Sequence, residues 1–356
     1  MNQLVKEEVR EERLDAIREE AEARGSMGSA GIRPTGSPMA VASPEAGYYG
    51  QPLLKEPQWT PLIPVYFFVG GATGVLAVIG SLADVLGGDE ELARKARWMA
   101  LGGTAISSAL LIADLGTPSR FLNMLRVFKP QSPMSVGSWV LSGLGASAAA
   151  SSLADLLEDE AGVNGAVEFL RAAGRAGCVL FGMPFHNYTG VLIGASVIPA
   201  WNSRIRSLPR EFGMAGLQSA VSLLELSGEI DNVALNVLGL VSAVFESWEG
   251  IDLLRTRDRR LRPAKRGLSG LLVQLAGVFS GPVPIALRVA SLFIKDRRVR
   301  QLAAVSGILG SLLMRYGWVS AGTASSRDWK IPLQIDGPAK RLDSRAEDEA
   351  TRVASV

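Results

Sequence analysis

The chain has 356 residues, 47% hydrophobic and only 20% charged, with a formal net charge of +2. The charges gather at the two ends and in short basic clusters between long apolar runs. This pattern excludes a soluble enzyme with charge spread over its surface and gives no footprint for nucleic acid. A single cysteine, Cys178, excludes an internal disulfide and an iron–sulfur cluster held by this chain alone. A single histidine, His186, excludes bis-histidine haem ligation and argues against a metal site. Any electron handled here must pass through an organic carrier or a partner subunit.

Residues 1–24 form a charged amphipathic stretch, with Glu and Arg at helix-supporting spacings and no apolar core of a secretory signal. Residues 25–58, rich in Gly, Ser and Pro, read as a disordered linker. From Pro61 onward the apolar runs predict eight spans at 62–86, 98–114, 134–156, 172–198, 211–227, 231–254, 268–292 and 300–323. Each is about long enough for a hydrocarbon core of ~30 Å at ~1.5 Å per residue. The expected fold is all-α: a polytopic membrane domain over 59–328, its eight helices packed as two four-helix bundles, followed by a polar tail over 329–356. Gly70 and Gly74, like Gly307 and Ser311, are small residues at four-residue spacing, which lets helices approach closely. The run VGGATG (69–74) follows no strand and lacks dinucleotide spacing, so it too is read as helix packing.

An even number of spans puts both termini on one side. The loops on that side carry more Lys and Arg than the others, chiefly through residues 255–266, which places them in the cytoplasm.

Several polar groups stand out against this background. In DLGTPSRF (114–121), Asp114 ends a helix, Gly116 and Pro118 turn the chain, and Arg120 can pair with a carboxylate. The loop is either a tight turn held by an Asp–Arg pair or a polar lid close to a ligand or partner. SPMSVGSW (132–139) follows with Ser135, Gly137 and Trp139. His186 either bonds to a backbone carbonyl or serves as a proton donor and acceptor. Glu225 in the fifth span and Glu246 in the sixth are candidates for a proton path or for ion pairs with an Arg on a neighbouring helix. Glu249 and Asp252 are expected at the interface, facing water.

DLGTPSRF followed by SPMSVGSW resembles the signature of the NrfD/polysulfide reductase membrane-subunit family. WTPLIPVYFFVGGATG (59–74), YTGVLIGASVIPAWNS (188–203) and RYGWVSAGTASSRD (315–328) are similar to that family's first, fourth and closing helices, so the resemblance runs over 59–328. It implies a haem-free, metal-free membrane subunit that binds menaquinone or ubiquinone. Such a subunit exchanges electrons with a four-cluster ferredoxin-like iron–sulfur partner, which serves a molybdopterin catalytic subunit of formate dehydrogenase, polysulfide or thiosulfate reductase, or nitrite reductase type. The implied setting is a bacterial cytoplasmic membrane.

Tyr188 matches the family's quinone-contacting tyrosine. His186 is a possible support, although residues two apart do not share a helix face. Tyr66 stands where first-helix polar side chains contribute, without the Asn and His expected beside it. Asp114 and Arg120 are assigned to organising the pocket or docking surface, and Ser135, Trp139 and Arg315 to partner docking. These phrases all fall toward the side of the termini, which predicts one working face. Relatives carry their catalytic subunits on the outer face, whereas the charge count points to the cytoplasm, and both assignments stay open. Two other functions remain in view: a non-redox ion-translocating module and a purely structural anchor.

Overall fold

Helix starts are set by short polar side chains. Asp89, Ser132, Asn164, Asn232 and Asp296 each accept hydrogen bonds from amides of the following turn, filling donors that a helix leaves open at its N-terminus. The computed structural model describes residues 54–328 apart from Gly87, Gly116, Val163 and Lys295, together with Ala16, Glu19 and Ile331. The expected N-terminal charged stretch, most of the linker and the polar tail therefore lie outside the described residues.

The long helices are α1 (Leu62–Val85), α2 (Glu90–Asp114), α3 (Pro133–Ala161), α4 (Gly165–Gly194), α5 (Leu208–Leu224), α6 (Val233–Arg255), α7 (Gly267–Ser280), α8 (Pro282–Ala290) and α9 (Arg297–Arg327). Among the described residues there is no strand. Two breaks matter for function. The α5 helix runs into a π turn, Glu225–Glu229, whose Gly228 has φ 119°, a conformation only glycine adopts readily. The expected seventh span is α7 and α8, separated at Gly281 (φ −107°, ψ −96°), because Pro282 has no amide to continue the helical ladder.

Five stretches are long and apolar enough to cross a membrane: Leu62–Ala83, Glu90–Asp114, Pro133–Glu160, Gly267–Ala290 and Arg297–Arg327. The helices α4, α5 and α6 occupy the other three expected positions, with more polar residues or less length. On α6 the pattern of a soluble helix is inverted. Val237, Val241, Val244 and Trp248 are exposed, while Ser242, Glu246 and Glu249 are buried. That arrangement suits a hydrocarbon surround, where charge faces the protein interior.

The α1 helix packs on α2, α4, α5 and α9; α3 bridges α2 and α4. In the second half α5 and α7 pack on both α6 and α9, as does α8. Small residues sit at the crossings, as their spacing predicts. A methyl group on Gly74 would lie 2.7 Å from the His186 amide nitrogen and 2.9 Å from the Gly182 carbonyl of α4. Ser311 of α9 hydrogen-bonds Ser219 of α5 at 2.7 Å.

Candidate functional site

Inside α4, Pro184 removes one amide from the ladder just before Phe185 and Tyr188. Their rings stack at 6.4 Å and 7°. The Tyr188 phenol lies directly over Gly137 of α3, where any Cβ would collide with the ring. This explains the glycine in SPMSVGSW: it makes room for the phenol. Tyr66 of α1, 3% exposed, lies close enough to Tyr188 to interact electrostatically. Neither phenol oxygen hydrogen-bonds to a described residue. Ser107 of α2, on the same Gly70–Phe185 contact, is buried with its hydroxyl likewise without a partner. Two phenols and a hydroxyl thus share an aromatic interior with their hydrogen-bonding capacity unused. His186 is not among them, because its ring turns to the opposite face of α4, against Gly213 of α5.

At the end of the molecule where α1 begins and α9 closes, of the two readings of the 114–121 loop the Asp114–Arg120 pair does not form. Asp114 instead accepts from the Thr60 amide at 3.1 Å and the Thr60 hydroxyl at 2.5 Å, fastening the end of α2 to the start of α1. Arg120 is exposed and makes no ion pair with a described residue. Ser135 ties down the preceding loop, accepting from the Lys129 amide and donating to the Val127 carbonyl. Trp139 is 41% exposed, with Phe128 packed edge-on against it. Trp59 stacks on Trp201 at 5.2 Å. The Trp201 indole donates to the Trp318 carbonyl, the Trp318 indole donates to Glu211, and Tyr316 donates to the Pro61 carbonyl. The distinctive sequence phrases therefore do meet at one end, as their order along the chain predicts.

Arg315, expected at a docking surface, departs from that pattern. It is fully buried and donates to the Phe212 carbonyl at 2.8 Å and to the Ser311 hydroxyl at 3.1 Å. An arginine with no surface cannot dock a partner directly. It belongs to a set of buried polar groups in α5–α9 that sequence reasoning largely missed. Glu211 and Glu246 are its charged neighbours. Among the described residues Glu246 accepts only from Ser280, at 3.3 Å, beside the α7–α8 break. One oxygen of Glu246, one of Glu211, the Arg315 Nε and the Gln218 amide nitrogen are all buried without a partner among the described residues. Toward the opposite end, Glu225 is clasped by Arg288 at 2.7 and 2.8 Å and by Arg300 at 2.9 Å. Of the two readings open for Glu225, the ion pair is the one observed.

Glu249, expected to face water, is 5% exposed and bonds Arg204 at 2.6 Å, whereas Asp252 does keep a largely exposed side chain. In the first half a further missed pair, Arg97 with Asp155, is buried and bidentate at 2.9 Å. Opposite charges in separate apolar spans were the available signal for Arg288 and for Asp155.

Outside the spans, the 255–266 segment is internally organised. Burial works against the Asp258 charge, but hydrogen bonds from the Arg260 side chain and amide prevail and hold its carboxyl below the usual range. Lys265 is drawn below the ordinary lysine range by burial and by the Arg204 charge, and donates to the Leu254 carbonyl at 3.2 Å.

No curated protein matches the chain. Residues 55–227 match the family described as polysulphide reductase, NrfD, a stretch that takes in α1–α5 and stops inside the π turn. The resemblance read in 315–328 lies beyond that match.

Proposed function

We propose, from the premise that this chain belongs over residues 55–227 to the NrfD, polysulphide reductase family, that it is the quinone-reactive membrane subunit of a respiratory oxidoreductase. The family consists of membrane subunits of oxidoreductase complexes. In this reading all eight expected spans cross the bacterial cytoplasmic membrane, α7 and α8 together forming one. They make two four-helix bundles, α1–α4 and α5–α9, with both termini in the cytoplasm. The partners are a four-cluster ferredoxin-like iron–sulfur subunit and a molybdopterin catalytic subunit.

The observation that carries the reading is the pair of buried tyrosines, Tyr66 and Tyr188, whose phenols have no hydrogen-bond partner among the described residues. Buried polar groups are nearly always satisfied, so a persistent gap in donors and acceptors argues for a ligand or water. Menaquinone and ubiquinone would fit what is left open: Tyr66 and Tyr188 would donate to the ring carbonyls, with the Phe185 ring beside Tyr188. When bound, a quinone supplies carriage of electrons together with protons. Tyr188 and Tyr66 would orient it, Gly137 makes room for the Tyr188 phenol, and the surrounding apolar residues exclude bulk water. His186, on the far face of α4, serves the helix contact rather than the ring. Asp114 acts through Thr60 by fixing where α1 begins, and Arg120, Ser135 and Trp139 lie on the surface available to the iron–sulfur partner.

Removing one neutral hydrogen bond costs ~1 kcal/mol, so Tyr188→Phe should weaken binding of a quinol analogue by roughly 5–10-fold. Titration of the purified complex checks this, and unchanged affinity would remove Tyr188 from the site. A second reading, ion translocation without redox chemistry, draws on the break at Gly281 beside Glu246 and Ser280. Retention of quinol-linked electron transfer by the assembled complex separates the two.

A further inference from the structure

A groove of about 830 Å³ lies where α1 begins, α7 begins and α9 ends. It is distinct from the tyrosine interior and has no part in the proposed redox role; only the membrane reading is assumed. Its walls are apolar along Pro61, Pro64 and Val319. Its rim is basic. Arg327 is matched by Glu56, and Asp328 at the same rim has an interaction of its own. Arg262 and Arg266 are exposed and have no acidic partner among the described residues. The first turn of α7 opens on the groove without a side-chain cap, which adds potential of the same sign.

We propose that this groove seats one anionic phospholipid, with its phosphate at Arg262 and Arg266 and an acyl chain along Pro61, Pro64 and Val319. The chemistry is complementary on both counts. Unmatched guanidiniums at the level where helices enter the membrane bind phosphate well, and the proline-rich start of α1 leaves an apolar channel open beside them. A lipid held there would join the start of α1 to the ends of α7 and α9. It would also lie against Trp59, and so against the stacked Trp201 that leads to Trp318 and Glu211.

The test is native mass spectrometry of the full chain in detergent, with phosphatidylglycerol and phosphatidylcholine supplied at equal concentration. Phosphatidylglycerol should be retained preferentially. R262Q/R266Q should weaken its apparent affinity by roughly 10-fold or more, since each interfacial arginine contributes on the order of a factor of five. The control R255Q/R257Q, which removes two exposed charges from the same segment outside the groove, should bind as the wild type does. A324W, which fills the groove without changing charge, should also lose the lipid. Melting temperatures in lipid-free detergent confirm that each variant is folded. Equal retention of phosphatidylcholine, or unchanged binding by R262Q/R266Q or A324W, overturns the proposal. So does an equal loss in R255Q/R257Q, or displacement of the lipid by a short-chain quinone analogue.

Discussion

Replacing Glu225 with alanine is expected to destabilise the protein by about 3–5 kcal/mol, the usual cost of stranding a buried charge. Glu225 is 0% exposed and accepts from both Arg288 and Arg300, on α8 and α9, at 2.7–2.9 Å. Asn236 of α6 adds a bond to Arg288 at 3.0 Å. One carboxylate therefore joins the end of α5 directly to α8 and α9, and through Arg288 to α6, at the point where the π turn leaves the regular ladder. Without it, two guanidiniums stay in the interior with no counter-charge among the described residues, where the Nε of each already lacks a partner. Pairing Glu225→Leu with Arg288→Met should recover part of the loss, because an apolar replacement removes the desolvation penalty together with the attraction. Thermal unfolding in detergent micelles measures both variants. A cost below about 1 kcal/mol for the alanine variant, typical of an exposed pair, would mean that this cluster is hydrated.

Glu246→Gln is expected to slow proton uptake coupled to quinol-linked turnover by about 10²-fold or more, the scale of losing a positioned proton carrier. Binding of a quinol analogue should stay unchanged. The expectation rests on geometry. Glu246 lies between Ser280 at the helix break and the Arg315–Glu211 neighbourhood, and Glu246, Glu211, Arg315 and Gln218 each hold a buried polar atom without a partner among the described residues. A line of unsatisfied polar atoms is where internal water enters a membrane protein. Glu225, held on both oxygens by arginine, is a closed point on such a route unless Arg288 moves. Proteoliposomes carrying the complete complex and an internal pH dye read the effect. Uptake at the wild-type rate in Glu246→Gln would remove Glu246 from the path.

The sequence shows apolar centres well and helix ends poorly. The second span was read from 98, but α2 starts at Glu90, because Asp89 caps it and its polar first turns are anchored by pairs such as Arg94 with Asp159. The fourth was read from 172, yet α4 starts at Gly165 behind the Asn164 cap. Hydropathy registers what lipid would contact, whereas capping and ion pairing decide where the backbone turns. The Gly281–Pro282 break was legible as a dipeptide signal but was lost inside an apolar average.

Partners across helices were the least legible. Asp114 and Arg120 are six residues apart and looked like a pair, but the partner of Asp114 is Thr60, 54 residues upstream. Glu225 finds Arg288 63 residues downstream. The sequence groups Arg315 with Trp318 on the side of the termini, and Trp318 does lie at the aromatic end. On the helix Arg315 points the other way, into the α1–α5–α9 contact. Tyr188 and Tyr66, by contrast, were singled out from resemblance and do lie together. The reason Gly137 accompanies them became visible only in three dimensions.

In the proposed function a quinone binds between α1, α3 and α4 beside Tyr66 and Tyr188. A photoreactive quinone analogue, cross-linked to the purified complex and mapped by peptide mass spectrometry, tests it directly. Labelling is expected on the peptides that carry Tyr66, Gly137 and Tyr188, suppressed by excess unlabelled menaquinone or ubiquinone. Labelling confined to other helices, or labelling that excess quinone leaves unchanged, would contradict it.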